Sequence, residues 1–197
     1  MMKLVAATNN QKKLREISRI LAPMGFGVLS LKDIGLEIEV EEDADSFAGN
    51  ARLKAQAVFE RCNLPTVADD SGLCVEALGG APGVYSARYG GPGLNDQERT
   101  SRLLDEMKDV PEDKRGAKFV SAICCILDRS TMLECSGECC GSIGFASAGE
   151  GGFGYDPVFL VDGKSYSELS AEEKDAISHR GRALRNLREL LRGYLND

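Results

Sequence analysis

Two adjacent carboxylates, Asp69 and Asp70, stand with Ser71 and Gly72 at the end of an apolar run, Thr66-Val67-Ala68. The run reads as a buried strand, and a strand sends alternate side chains to opposite faces. The two carboxylates therefore point apart. One ties down the local backbone, and the other faces an open edge where it can hold a cation or activate a water. A second set of residues supplies the matching chemistry. Thr8-Asn9-Asn10-Gln11-Lys12-Lys13 joins an apolar strand, Leu4 to Ala7, to a segment in which Leu14, Ile17, Ile20 and Leu21 recur at helical spacing. Such a junction aims free backbone N–H groups and the positive end of a helix at an anion, which favours phosphate. Lys13, on the first turn, can reach the same anion. The glycines and the Gly-Lys-Ser/Thr ending of a Walker loop are absent. The same residues also read as a plain capped helix, with Thr8 and Asn9 as N-cap types and a solvated Lys12-Lys13 pair.

Three further groups can take part. Glu41-Glu42, with Asp70, would offer the one or two carboxylates by which magnesium is commonly held beside substrate phosphates. Equally, Glu37 to Asp45 reads as a solvated acidic loop. In Gly151-Gly152-Phe153-Gly154-Tyr155-Asp156-Pro157 the glycines let a backbone approach a flat ligand, and an exposed ring can stack on a base. The other reading is a glycine-rich hairpin with core aromatics. Lys174 with Ser178-His179-Arg180, which holds the one histidine of the chain, places donors at a helix start, where they can read the polar edge of a base or simply face water. A Ser/His/Asp triad is formally available but has no nucleophile-elbow signature.

The elements that must position these groups follow from periodicity and punctuation. Pro23 and Gly25 stop the first helix, and Val28 to Leu31 reads as a second strand, a β-α-β opening typical of α/β proteins. A helix runs from about Ser46 to Arg61, and Pro65 restarts the chain into the strand before Asp69. Leu73 to Leu78 reads as another strand, followed by the loop Gly79 to Gly83. Asn95 and Glu98 form a capping box for a helix to about Met107. Lys118 to Leu127 and Met132 to Gly141 form a hairpin across Asp128-Arg129-Ser130. Ser170 and Glu173 make another capping box, and a last amphipathic helix spans Ser178 to Tyr194. The prediction is an α/β protein with a mixed sheet, residues 1–197 forming one domain of two lobes.

Composition narrows the partners. A net charge of −7 and a pI near 4.9 argue against a nucleic-acid polymer, but a triphosphate needs only a few local cations and a metal. No apolar run approaches the ~20 residues that span a bilayer, and the N-terminal apolar stretch is too short for a secretory signal. The expectation is a cytoplasmic protein with reduced thiols, as the odd count of seven cysteines also indicates. The cluster Cys135-x3-Cys139-Cys140, with Cys124-Cys125 upstream, invites a zinc reading. Adjacent cysteines on a strand face opposite ways, however, so the thiols are read as small core hydrophobes.

Taken together, the segments resemble the inosine triphosphate pyrophosphatase family, also called XTP/dITP diphosphatases, which clear non-standard purine nucleotides. The resemblance rests on Thr8-Asn9-Asn10-x-x-Lys13-x-x-Glu16, Phe47-x-x-Asn50-Ala51-x-x-Lys54-Ala55, Ala68-Asp69-Asp70-Ser71-Gly72-Leu73, Gly79-Gly80-Ala81-Pro82-Gly83-Val84-Tyr85-Ser86-Ala87-Arg88, Gly152-Phe153-Gly154-Tyr155-Asp156-Pro157 and Ser178-His179-Arg180. It implies an elongated mixed sheet flanked by helices, a nucleotide cleft between two lobes, and a homodimer. It also implies Mg2+-dependent cleavage between the α- and β-phosphates. On this resemblance Asp70 is general base and metal ligand, with Glu42 preferred over Glu41 as the second acidic ligand. Thr8 to Lys13 form the phosphate turn, supported by Lys54 and Arg88, and Ser71 lies beside the substrate. Phe153, Gly154, Tyr155 and Asp156 form the base and sugar platform, and Lys174, His179 and Arg180 read the purine edge. Gly49 stands where many relatives carry glutamate. Two alternatives stay open: a pyrimidine triphosphate pyrophosphatase on a related scaffold, and a non-catalytic nucleotide sensor.

Overall fold

The computed structural model of the protein describes residues 2–196. Its chain opens with strand β1 (Met2–Ala6), helix α1 (Gln11–Leu21) and strand β2 (Phe26–Leu29), and β1 and β2 run parallel. Parallel neighbours need a crossover. Helix α1 provides it and buries Ile17, Ile20 and Leu21. Gly25 then takes a left-handed φ of 88°, a turn that glycine makes without steric cost. The second strand starts at Phe26, two residues before the Val28 expected from the sequence, because Phe26 itself joins the core.

Helix α2 (Phe47–Cys62) leads into β3 (Thr66–Val75). The sequence predicts two strands here, divided near Gly72, with the second reaching Leu78. One strand forms instead, since Leu73 and Val75 are buried with the core, and Glu76–Leu78 turns away as a 3-10 helix. Helix α3 (Asp96–Glu106) carries the expected Asn95–Glu98 capping box. Strands β4 (Gly116–Ile126) and β5 (Met132–Ile143) are neighbours joined by a tight turn, in which the Leu127 N–H donates to the Thr131 carbonyl at 3.0 Å. Two short strands, β6 (Phe159–Val161) and β7 (Lys164–Ser165), were not predicted, being too brief to show a period. Helices α4 (Ala171–Ile177) and α5 (His179–Asn196) complete the fold. The seven-stranded sheet has the order β2-β1-β3-β4-β5-β6-β7, parallel at β1–β3 and antiparallel from β5 to β7. It is a mixed α/β sheet. Among the described residues no helix is long and apolar enough to cross a membrane.

The chain divides into two compact units, one of Met1–Asp70, Ser121–Gly137 and His179–Asp197, the other of Ser71–Val120 and Glu138–Ser178. In the first, strand alternation feeds two separate cores. Val67, Ile123 and Cys125 pack with α1 and α5, while Ala68, Ala122 and Cys124 pack with α2. The adjacent thiols thus enter different cores, and burial pushes each up to about 12.

The second unit has one core, in which Phe119, Phe159 and Tyr166 meet at centroid distances of 4.7 to 5.8 Å. Beside it Arg115 is 2% exposed and donates to four carbonyls, those of Ile143, Met107, Val110 and Gly144. Its planar fork ties the end of α3 to the end of β5 in a way no ammonium can copy. Arg115→Met should therefore lower unfolding free energy by at least ~3 kcal/mol, and Arg115→Lys should recover only part of that. Urea unfolding of both variants measures it, and a loss below ~1 kcal/mol for the methionine variant would contradict the account.

Candidate active site

The turn after β1 is built by its own side chains. Asn10 is the N-cap of α1, in place of the expected Thr8 or Asn9, and its Oδ1 accepts from the N–H groups of Lys12 and Lys13 at 3.0 and 3.1 Å. Thr8 Oγ1 accepts the Asn10 N–H at 3.1 Å, and Asn9 donates to the Ile38 carbonyl at 3.1 Å. The free first-turn amides expected from the sequence are therefore largely taken, because a short amide side chain satisfies orphan helix donors within the turn. What the turn presents is side chains, with Asn9, Asn10, Gln11 and Lys12 exposed and Lys13 half-buried.

Lys13 Nζ lies 3.0 Å from Asp69 Oδ2. Asp69 is fully buried and accepts from Ser121 Oγ at 2.5 Å and from Arg180 at 3.1 Å. Arg180, at 1% exposure, also pairs with Glu16 of α1. Burial alone would push the Asp69 carboxyl up. Arg180, Lys13 and the Ser121 hydroxyl outweigh it and hold the group well below the ordinary carboxylate range. Arg180 in turn is disfavoured by burial but raised above its ordinary value by Asp69 and Glu16. The guanidinium of Arg180, expected at the base edge, pairs here with two buried carboxylates, and a buried charge persists only when paired.

Asp70 faces the other way. Its Oδ1 accepts from Lys54 at 2.9 Å and its Oδ2 from Asn50 at 3.3 Å. Asn50 and Lys54 are four residues apart on α2 and so share a face. Asn50 also accepts the Ala44 N–H at 3.0 Å, and Lys54 lies 3.3 Å from Glu42 Oε2, so α2 gathers Asp70 and the acidic segment together. At Gly49 an added Cβ would lie 2.7 Å from the Ala44 methyl, which leaves room for nothing larger there. Burial raises the Asp70 carboxyl above its ordinary value; Lys54 and Lys13 oppose this and Glu42 adds to it. Asp70 and the half-buried Glu42 converge on one cation, the Lys54 ammonium, while Glu41 is exposed. Asp70 and Glu42 are hard oxygen donors of the type Mg2+ takes, while among the described residues no group of three or more metal-ligating side chains is present.

The second unit holds the rest of the predicted residues apart from His179, which belongs to the first. Ser71 is half-buried, and Arg88 is exposed with its guanidinium 5.0 Å from the Tyr85 ring centroid. Gly152 takes φ 73°, and a Cβ there would strike the Asp156 carboxylate at 2.2 Å. That carboxylate accepts the Phe153 N–H at 2.7 Å and pairs with Lys174 of α4 at 2.6 Å. Lys174 Nζ lies 4.8 Å from the centroid of the half-buried Phe153 ring. Tyr155 differs from expectation. Its ring is 4% exposed in the core and its hydroxyl donates to the Ser86 carbonyl at 3.0 Å, so an accessible ring stands at Phe153 and not at Tyr155. His179, the first residue of α5, is buried.

Glu16, Asn50 and Ser121 join the expected residues through their bonds to Arg180, Asp70 and Asp69. Glu16 and Asn50 lie inside recurring motifs, which was the available signal. Ser121 carried none, because a serine in an apolar strand looks like filler until its neighbour across the sheet is known.

The comparisons with known proteins agree over nearly the whole chain. The Ham1 family profile matches residues 4–190. A dITP/XTP pyrophosphatase of Shigella flexneri is 46% identical over 98% of this chain and 99% of its own length. Among solved structures, the Ham1 protein of Staphylococcus aureus is 36% identical and superposes with a TM-score of 0.86, covering 98% of this chain and 99% of its own. A nucleoside-triphosphatase / dITP/XTP pyrophosphatase from Mycobacterium abscessus is 45% identical with a TM-score of 0.74, over 94% of this chain and 98% of its own.

The Asp69 cluster has a consequence for acid stability. A carboxyl depressed in the folded state contributes fully above its unfolded pKa of about 4, and that contribution is lost as pH falls through the folded value. Urea unfolding from roughly pH 7 down to pH 3 should show a steeper acid loss in the parent protein than in Asp69→Asn, which has no carboxyl to protonate there. Equal slopes would show that Asp69 is not held in the charged form.

Proposed function

Because this chain belongs to the Ham1 family, we propose that it is a hydrolase of non-standard purine nucleoside triphosphates, ITP, dITP and XTP, giving the monophosphate and pyrophosphate. The observation that carries the mechanism is the opposed pair on β3, with Asp70 raised among Asn50, Lys54 and Glu42 and Asp69 held charged by Arg180 and Lys13. The substrate class is supported by the relatives that match nearly end to end, which are dITP/XTP pyrophosphatases.

In this reading Asp70 orients and deprotonates the attacking water. A carboxylate whose pKa is raised by burial takes a proton from water more readily than an ordinary one. Lys13 and Lys54 meet the negative phosphates, and they are pre-positioned because each already balances a buried aspartate. Bound between Asp70 and Glu42, Mg2+ would neutralise phosphate charge and increase the acidity of water. The half-buried Phe153 ring offers a stacking face, with Lys174, held by Asp156, as a donor beside it. His179 is the other donor proposed for the base edge. Inosine and xanthosine present a carbonyl acceptor at the purine 6-position. Adenine presents an amino donor, which leaves a buried donor unsatisfied at a cost of ~1–3 kcal/mol. The seven free cysteines are in keeping with the reducing cytoplasm, and a homodimer belongs to the same proposal, testable by sedimentation equilibrium.

Incubation with magnesium and ITP, XTP, dITP, dTTP or ATP, with pyrophosphate and orthophosphate measured separately, tests the reading. Pyrophosphate is the expected product, the three non-standard purines are the preferred substrates, and chelation of the metal should abolish turnover. Orthophosphate as the main product, or dTTP or ATP cleaved as well as ITP, would sink it. Asp70→Asn should lower kcat by ~10²-fold or more, as loss of a general base does, and near-normal turnover would remove Asp70 from that role.

A further inference from the structure

Helix α3 fastens the peptide that follows Phe153. Asp96, the first residue of α3, accepts the Gly154 N–H on its Oδ2 at 3.0 Å, while its Oδ1 takes a bond from Arg99 at 2.8 Å. Four residues on, the Thr100 hydroxyl shares its single proton between the carbonyls of Asp96 at 2.8 Å and Gly154 at 3.2 Å. Both polar groups of Gly154 are thus met from one turn of one helix. The turn itself is held in place. Asn95 and Glu98 cap it reciprocally, and Arg99 donates to the Leu94 carbonyl. A carboxylate at a helix N-terminus interacts favourably with the helix dipole, and a charged acceptor makes a stronger hydrogen bond than a neutral one.

We propose that Asp96 is a positioning residue for nucleotide-base recognition, acting through Gly154 on the Phe153 ring. This rests on the reading of Phe153 as the stacking face. Gly154 takes φ 59°, and an added Cβ would meet nothing within 4 Å, so space on its free side does not define its conformation. The hydrogen bonds from α3 do. On the N-terminal side of Phe153 the Asp156 carboxylate holds the Phe153 N–H, and on the C-terminal side Asp96 holds the Gly154 N–H. The ring is therefore fixed by two carboxylates on either side of one residue. Lys174 ties the first of them to α4, and the second belongs to the first turn of α3 itself. Loss of the second releases the Gly154 N–H and leaves the peptide held only at its carbonyl, with the chemistry at Asp70 untouched.

The test compares Asp96→Ala with Arg99→Ala, which removes the ion pair but leaves the Gly154 bond. Asp96→Ala should raise KM for ITP about tenfold with kcat within about twofold, and should narrow the preference for ITP over ATP. It should also speed exchange of the Gly154 amide proton, read by NMR. Arg99→Ala should leave all three within about twofold of the parent protein. Faster Gly154 exchange with KM and preference unchanged would overturn the positioning role, as would an equal effect of both substitutions. An Asp96→Ala variant that loses thermal stability but keeps KM, base preference and exchange would make Asp96 a helix stabiliser only. If the parent protein releases no pyrophosphate from ITP, the functional reading fails by itself. In that case the inference fails too if Asp96→Ala leaves Gly154 exchange unchanged or leaves binding of ITP, measured by calorimetry, unaltered.

Discussion

The alternation of side chains along β3 is the constraint on which the rest of the first unit depends. One residue step separates Asp69 from Asp70 and sends them to opposite faces, into surroundings of opposite electrostatic effect. Asp69 meets Arg180, Lys13 and Ser121 and is held charged, whereas Asp70 meets Asn50 and Lys54 in a buried setting and is raised. A one-residue slip in register would exchange these surroundings and strand the charges. The parallel pairing of β1 with β3, through Val5–Thr66 and Ala6–Val67, fixes that register. It also sets the end of β1, and so Lys13, next to Asp69.

A buried ion cluster of this kind is costly unless complete, because each charge left without its partner keeps its desolvation penalty. Completeness requires three elements distant in sequence to meet: α1 with Glu16 and Lys13, β4 with Ser121, and α5 with Arg180. Gly137 makes one of these approaches possible. A Cβ there would lie 2.4 Å from the His179 carbonyl oxygen and the Ala183 nitrogen, so the start of α5 rests directly on the backbone of β5. The glycine is thus required for close approach and not for a turn.

The second unit solves a different problem, the ordering of a loop rich in glycine. Left-handed Gly152 and Gly154 bend the chain at low steric cost but would leave it mobile. Carboxylates accepting successive backbone N–H groups restore order, one from Asp156 within the loop and one from Asp96 at the start of α3. Tyr155 completes the anchoring with its ring in the core and its hydroxyl on the Ser86 carbonyl. Of two aromatics that looked equivalent in sequence, Tyr155 is buried in the core and Phe153 is half-buried.

Much of this was legible in the chain before folding. Local chemistry determined the β-α-β opening, the capping boxes at Asn95 and Ser170, the turn between β4 and β5 and the divergence of Asp69 from Asp70, because each depends on residues within a few positions of one another. Short strands such as β6 and β7 were beyond reach, as was the unbroken run of β3 through Gly72, since burial against distant segments outweighed local propensity there. The sequence marked a group of polar side chains, but which of them pair with one another was not readable. That Arg180 pairs with Asp69 and Glu16, that Asn10 accepts from the amides it seemed to leave free, and that Ser121 and Asp96 bond Asp69 and Gly154 are facts of tertiary placement. A charged side chain takes its role from the partner that desolvates with it, and only the folded chain decides which partner that is.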